Sequence, residues 1–160
     1  MSSISGCSKL ELLELQDCNI DDATTVEVVR GVNSFKRAQW VANDMVREGR
    51  APQRDERLPP LKTLGFTGNN NNFGEDSWKA LAHMIKDECC DLTTLNLEGS
   101  NNGIDDEAAI WLAVPLQTNN KLETIDLSDN KKSQMKGGRY STGSCATLPL
   151  RRRHTNLIIH

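Results

Sequence analysis

The sequence predicts an α/β fold in which short strands alternate with helices and the strand–helix units stack in series. Three observations predict it. The spacing leucine, two residues, leucine, one residue, leucine occurs at Leu92, Leu95 and Leu97 and recurs at Leu122, Ile125 and Leu127, with an amphipathic helical segment between. Further copies begin at Leu10 and Leu61, and the later starts are evenly placed, 31 residues from Leu61 to Leu92 and 30 from Leu92 to Leu122. The first three copies each lead through a turn-forming stretch to an acidic pair suited to a helix start. Such a unit cannot bury its apolar side alone, so neighbours must join their stripes into one core.

In chain order, the first copy is Leu10, Leu13 and Leu15, with Ile20 returning to the core. Either Asp21 or Asp22 can cap the helix that follows. Val28 and Val32 keep the offsets from Ile20 that Leu112 and Leu116 keep from Ile104. Residues 35–60 admit two readings. Phe35 to Glu48 is rich in helix formers and reads as part of a long helix. Phe35, Ala38, Trp40 and Asn43 also fit the strand positions of a degenerate copy, which the 51 residues from Leu10 to Leu61 favour. Gly49 to Pro60, charged and with three prolines, is a loop on either reading.

The next copy is Leu61, Leu64 and Phe66, followed by Asn69 to Asn72, Phe73 at the core, Glu75-Asp76 at a helix start and the stripe Trp78, Leu81, Ala82 and Ile85. The copy from Leu92 leads through Ile104 to a helix starting at Asp105-Asp106, with Ala109, Leu112, Ala113 and Leu116 along one side. Pro115 limits that helix to one or two turns, or bends it. The last copy, from Leu122, ends at Asn130. Residues 131–160 hold seven basic residues and no acidic one, and are expected to be a disordered tail in which Leu157-Ile158-Ile159 suffices only for a short strand.

Composition bounds the rest. A chain of 160 residues, 37% hydrophobic and 26% charged, has material for one domain, and 4% aromatic content leaves small aliphatic side chains to build the core. Residues 1–9 are a polar lead-in without the apolar region of a signal peptide. No run approaches the roughly 18 apolar residues of a membrane span. Cys7, Cys18, Cys89, Cys90 and Cys145 are odd in number and lack paired metal spacing, which suits a reduced, intracellular protein. A cytoplasmic location is expected, with the nucleus open to it through the basic tail.

The turn Ile104-Asp105-Asp106-Glu107-Ala108-Ala109, with Leu112-Ala113, Leu116 and Asn119 in register behind it, resembles the ribonuclease-inhibitor-like class of leucine-rich repeats. Leu10 to Val32 and Leu61 to Leu92 are similar in a weaker form, so the resemblance covers most of residues 10–130. The chain departs from the pattern in its lengthened Asn-rich turns and in Pro115. The resemblance implies a curved solenoid, parallel strands lining its concave side and helices its convex side. It further implies an interaction scaffold; some members of the class are instead GTPase-activating proteins for a small GTPase. For that alternative, Asn69 to Asn72 and Asn101-Asn102 are the turns polar enough to approach a nucleotide.

In a solenoid the outward strand residues form one binding face. The candidates are Glu11, Glu14 and Gln16; Lys62, Thr63 and Thr67; Thr93, Thr94, Asn96 and Glu98; and Glu123, Thr124, Asp126 and Ser128. Five acids against one lysine on this face favour a protein partner with a basic surface. Residues 1–130 carry 12 basic and 22 acidic residues, whereas the tail carries seven basic ones, densest at Arg151-Arg152-Arg153, so nucleic acid is expected to bind only through the tail. No polar capping repeat closes either end of the array, and an open strand edge there invites end-to-end self-association. No catalytic set emerges. His83 sits on a helix surface, His154 and His160 lie in the tail, the acidic pairs are explained as caps, and Cys89-Cys90 has no base beside it. The chain is therefore expected to be a non-enzymatic binding module without cofactor or metal.

Overall fold

The computed structural model describes residues 10–50, 59–68, 71–99, 106–128, 130 and 156–158, with the backbone alone at 106, 107, 109 and 156–158. In order these form β1 (Leu12–Glu14), α1 (Asp22–Arg47), β2 (Thr63–Gly65), α2 (Glu75–Lys86), β3 (Thr94–Asn96), α3 (Asp106–Thr118), β4 (Thr124–Asp126) and β5 (Asn156–Ile158). The strands make one parallel sheet in the order β1-β2-β3-β4-β5, with Leu13, Leu64, Leu95, Ile125 and Leu157 abreast. Residues 156–158 thus pair with β4, where the sequence left room for a short strand in an otherwise structureless tail; except for Asn130 before it, the remainder of 131–160 lies outside the described residues. Leu157 and Ile158 give this segment the apolar, partly β-branched character that suits a strand beside β4.

Each of β2, β3 and β4 carries one core residue between two outward ones. Leu64, Leu95 and Ile125 are buried, and so are Leu61, Leu92 and Leu122 before them and Phe66, Leu97 and Leu127 after. Val29, Val32, Leu81, Ile85, Leu112 and Leu116 close the same core from the helices. The aliphatic core expected from composition includes an aromatic cluster, in which Phe73 meets Phe66 and Trp78 edge to face at centroid distances of 5.6 and 5.4 Å.

Beyond the strands the ladder continues into the turns, where Asp17 N–H donates to Thr67 O, Gly68 N–H to Glu98 O and Gly99 N–H to Ser128 O. Asp17, Gly68 and Gly99 all adopt positive φ, 50°, 98° and 141°, which bends the chain toward the helix layer. At Gly68 a Cβ would clash with Asp17 Oδ1 and lie 2.9 Å from Asp17 N, so the two turns touch only because no side chain is present. Gly68→Ala is expected to cost about 1–3 kcal/mol, read as a lower urea midpoint. An unchanged midpoint would show that the turn relaxes freely.

Residues 35–47 belong to α1, which settles the two readings in favour of the long helix. Asp21 caps its start by accepting from Thr24 N–H at 2.8 Å. At the other end Gly49, with φ 69°, closes it; Gly49 N–H donates to Val46 O and Arg50 N–H to Met45 O. Between the two caps the apolar spacing keeps helical period, burying Val29, Val32 and Phe35 while Trp40 and Val41 stay exposed. At 26 residues α1 is about 39 Å long and overhangs the 12-residue α2, about 18 Å.

The helix through Pro115 is also longer than the sequence suggests. α3 has 13 residues and runs past the proline. Proline removes one N–H, and here it stands in the last turn, where one lost bond is offset by the burial of Ala108, Leu112 and Leu116.

The acidic pair at the start of α1 divides its work. Asp21 caps α1, whereas Asp22 reaches the next helix: its Oδ1 accepts from Gly74 N–H at 2.9 Å, from Ser77 N–H at 2.8 Å and from the Ser77 hydroxyl. Gly74, at the start of α2, has no side chain to cap with, and a Cβ there would come within 2.9 Å of the Asp22 carboxylate. One unit therefore caps its neighbour. Asparagines add further ties: Asn71 Oδ1 accepts from Ile20 N–H, Asn119 Nδ2 donates to Ile85 O, and Asn130 Nδ2 donates to Leu97 O. Among the described residues no helix is long and apolar enough to cross a membrane.

Candidate functional site

All three helices pack on the side of the sheet that holds Leu64, Leu95 and Ile125. Among the described residues no helix covers the opposite side. Two rows of residues lie there in register. One is Leu12, Thr63, Thr94, Thr124 and Asn156; the other is Glu14, Gly65, Asn96, Asp126 and Ile158. Adjacent strands are about 4.8 Å apart, so Glu14 and Asp126, three strands apart in one row, stand roughly 14 Å from each other.

The structure sorts the expected site residues into groups. Glu14, Thr94, Asn96 and Asp126 belong to the two rows, with Gln16, Thr67 and Glu98 continuing the same alternation two residues past the strands. Glu11, Lys62 and Glu123 stand one residue before the strands, all exposed, and form a rim; the ladder Lys62 N–H to Glu11 O and Glu123 N–H to Thr93 O holds them abreast. Ser128 is a correction. It is 6% exposed, and its backbone N–H and hydroxyl both donate to Asp126 Oδ1, so it shapes the turn and offers no surface. Asn96 works in the same way, its Oδ1 accepting from Glu98 N–H at 3.0 Å.

On β1 and β2 two members of the face were missed. Leu12, 53% exposed, stands in the threonine row, and Gly65 in the acidic row. Both share the offset of Thr94 and Asn96 from their leucines, and that offset was the available signal; selecting polar residues passed over them. Leu12 adds an apolar contact at the β1 end of this face. At Gly65 a Cβ would meet Glu14 Cγ at 3.0 Å, so the glycine is what lets the Glu14 side chain lie across β2.

Charge on this face differs in kind from charge elsewhere. Ion pairs occur on the helices and the loops after them, Arg37 with Asp87 at 2.7 Å, Lys79 with Glu75 at 2.8 Å and Lys121 with Asp91 at 2.7 Å. Lys79 also stands 5.3 Å from the centre of the Trp111 ring. On the sheet face Glu14 and Asp126 instead share their row with Gly65 and Asn96, which bring no cation.

Of the turns needed for a nucleotide-directed role, Asn69, Asn70, Asn101 and Asn102 lie outside the described residues. Asn71 is buried and bonded to the backbone of Ile20 and Thr67. His83 is exposed on the rim of an open groove of about 890 Å³ between α1 and α2, together with Asp22, Val26, Arg30, Asp76 and Lys79. Among the described residues no cluster of metal-ligating side chains occurs. Burial raises the Cys89 thiol above its ordinary range and the Asp87 carboxylate raises it further, so Cys89 is not poised as a thiolate. No family model, curated protein or solved structure matches this chain.

Proposed function

We propose that this chain is a non-catalytic protein-binding module, a short leucine-rich-repeat solenoid that takes a basic partner surface on its open sheet face. What carries this reading is the sheet face that no described helix covers. All-parallel sheets are ordinarily covered on both sides, yet here one side packs the helices while the other bears in-register polar rows with Glu14 and Asp126. A row of fixed spacing presents its charges to a complementary surface at little conformational cost, and opposite charge on the partner sets on-rate and specificity.

Capture from a native lysate by the full chain tests the reading, beside a Glu98→Lys/Asp126→Lys variant whose circular dichroism matches the wild type. A basic protein retained by the wild type is expected to fall at least tenfold in the variant, and its retention to weaken with added salt. Equal retention by both would refute the acidic face as the site. The cytoplasmic location belongs to the same proposal.

A further inference from the structure

We propose that the cavity under the overhanging half of α1 binds a small anion, held by the Lys36 ammonium. Lys36 is 4% exposed, on the inner side of α1 between Phe35 and Gln39. Among the described residues its Nζ is buried without a hydrogen-bonding partner. A charged amine in that condition is strongly disfavoured unless something accepts from it. It lines a cavity of about 60 Å³ formed by Gln39, Trp40 and Asn43 of α1, Pro60 and Leu61 before β2, and Cys89 and Asp91 after α2.

The neighbouring groups are engaged elsewhere. Asp91 Oδ1 accepts from Lys121 Nζ at 2.7 Å. Asp87 takes the Arg37 guanidinium through Nη2 at 2.7 Å and Nε at 3.2 Å. Gln39 spends its Nε2 on Pro59 O at 2.6 Å. Among the described residues the cavity is thus left with one cation, the carboxylates of Asp87 and Asp91 being already paired. Its volume suits roughly four to six water-sized atoms, the size of an inorganic oxyanion or a short carboxylate. Both present oxygens to a three-donor ammonium, and that shared chemistry defines the ligand.

The test is thermal unfolding of the full chain as sodium phosphate, and separately sodium acetate, replaces sodium chloride at constant ionic strength. Wild type is expected to show a saturating rise in midpoint with at least one of the two anions. Lys36→Met, which removes the buried charge, is expected to unfold in chloride no lower than wild type and to show no such rise. An equal response in both proteins, or none in wild type, overturns the proposal. Should Lys36→Met not fold, the ¹⁵N resonance of the wild-type Lys36 amine decides, since direct binding must move it during the titration and a static resonance refutes binding. A response seen only in an Asp55→Asn/Glu56→Gln variant would assign the amine to the chain's own carboxylates and also overturn the proposal.

Discussion

Trp78→Ala is expected to lower the unfolding free energy by about 3–5 kcal/mol, most of what a small domain has to lose. The indole is 2% exposed and one turn into α2. It packs against Phe73, the residue just before the helix cap, and that pairing across the cap sets the angle at which the chain enters the helix. Phe73 in turn meets Phe66 at the end of β2. Removing the indole opens a cavity and also releases the joint between strand, turn and helix. Urea unfolding followed by near-ultraviolet circular dichroism reads the loss. A change below about 0.5 kcal/mol, the low end for a single aromatic pair, would show that the joint is held by the backbone alone.

Asp22→Ala is expected to cost about 1–2 kcal/mol at neutral pH, the range for a lost helix cap, although Asp22 does not cap its own helix. The acid dependence tests the mechanism. Desolvation raises the Asp22 carboxyl, but the hydrogen bonds from the Ser77 hydroxyl, Ser77 N–H and Gly74 N–H outweigh it, and the net shift is downward. A carboxyl depressed in the folded state adds stability that is fully present above its unfolded value, about 4, and is lost as pH falls through the folded value. The stability gap between wild type and Asp22→Asn should therefore be constant from pH 7 to about 5 and shrink on further acidification. A gap that does not change with pH would mean that the amide replaces the carboxylate fully and that the charge is irrelevant.

The strand positions were legible because their signal is local. Leu61, Leu64 and Phe66, and the later copies at Leu92 and Leu122, alternate in and out with the period of a strand, and all are buried as that period requires. Most of the candidate face followed from the same alternation, since residues between buried leucines have nowhere else to point. Leu12 and Gly65 escaped because chemical type was used where position alone would have served. Ser128 misled for the converse reason, being polar and correctly spaced but folded back onto Asp126.

By itself, then, the sequence determined the α/β class, the period of the units, the acidic helix starts and the rows that face outward. Each depends on the order of neighbouring residues along the chain. Only the tertiary structure decided that residues 35–47 continue α1, because helix and degenerate strand are both open to that stretch and bonds to distant residues, Arg37 to Asp87 and Gln39 to Pro59 O, hold it as helix. It alone decided that α3 passes Pro115, where buried neighbours outweigh one missing hydrogen bond, and that 156–158 pairs with β4. It also decided that Asp22 serves α2 and that Lys36 lies buried beside a cavity. Such contacts join residues tens of positions apart, and local spacing carries no record of them.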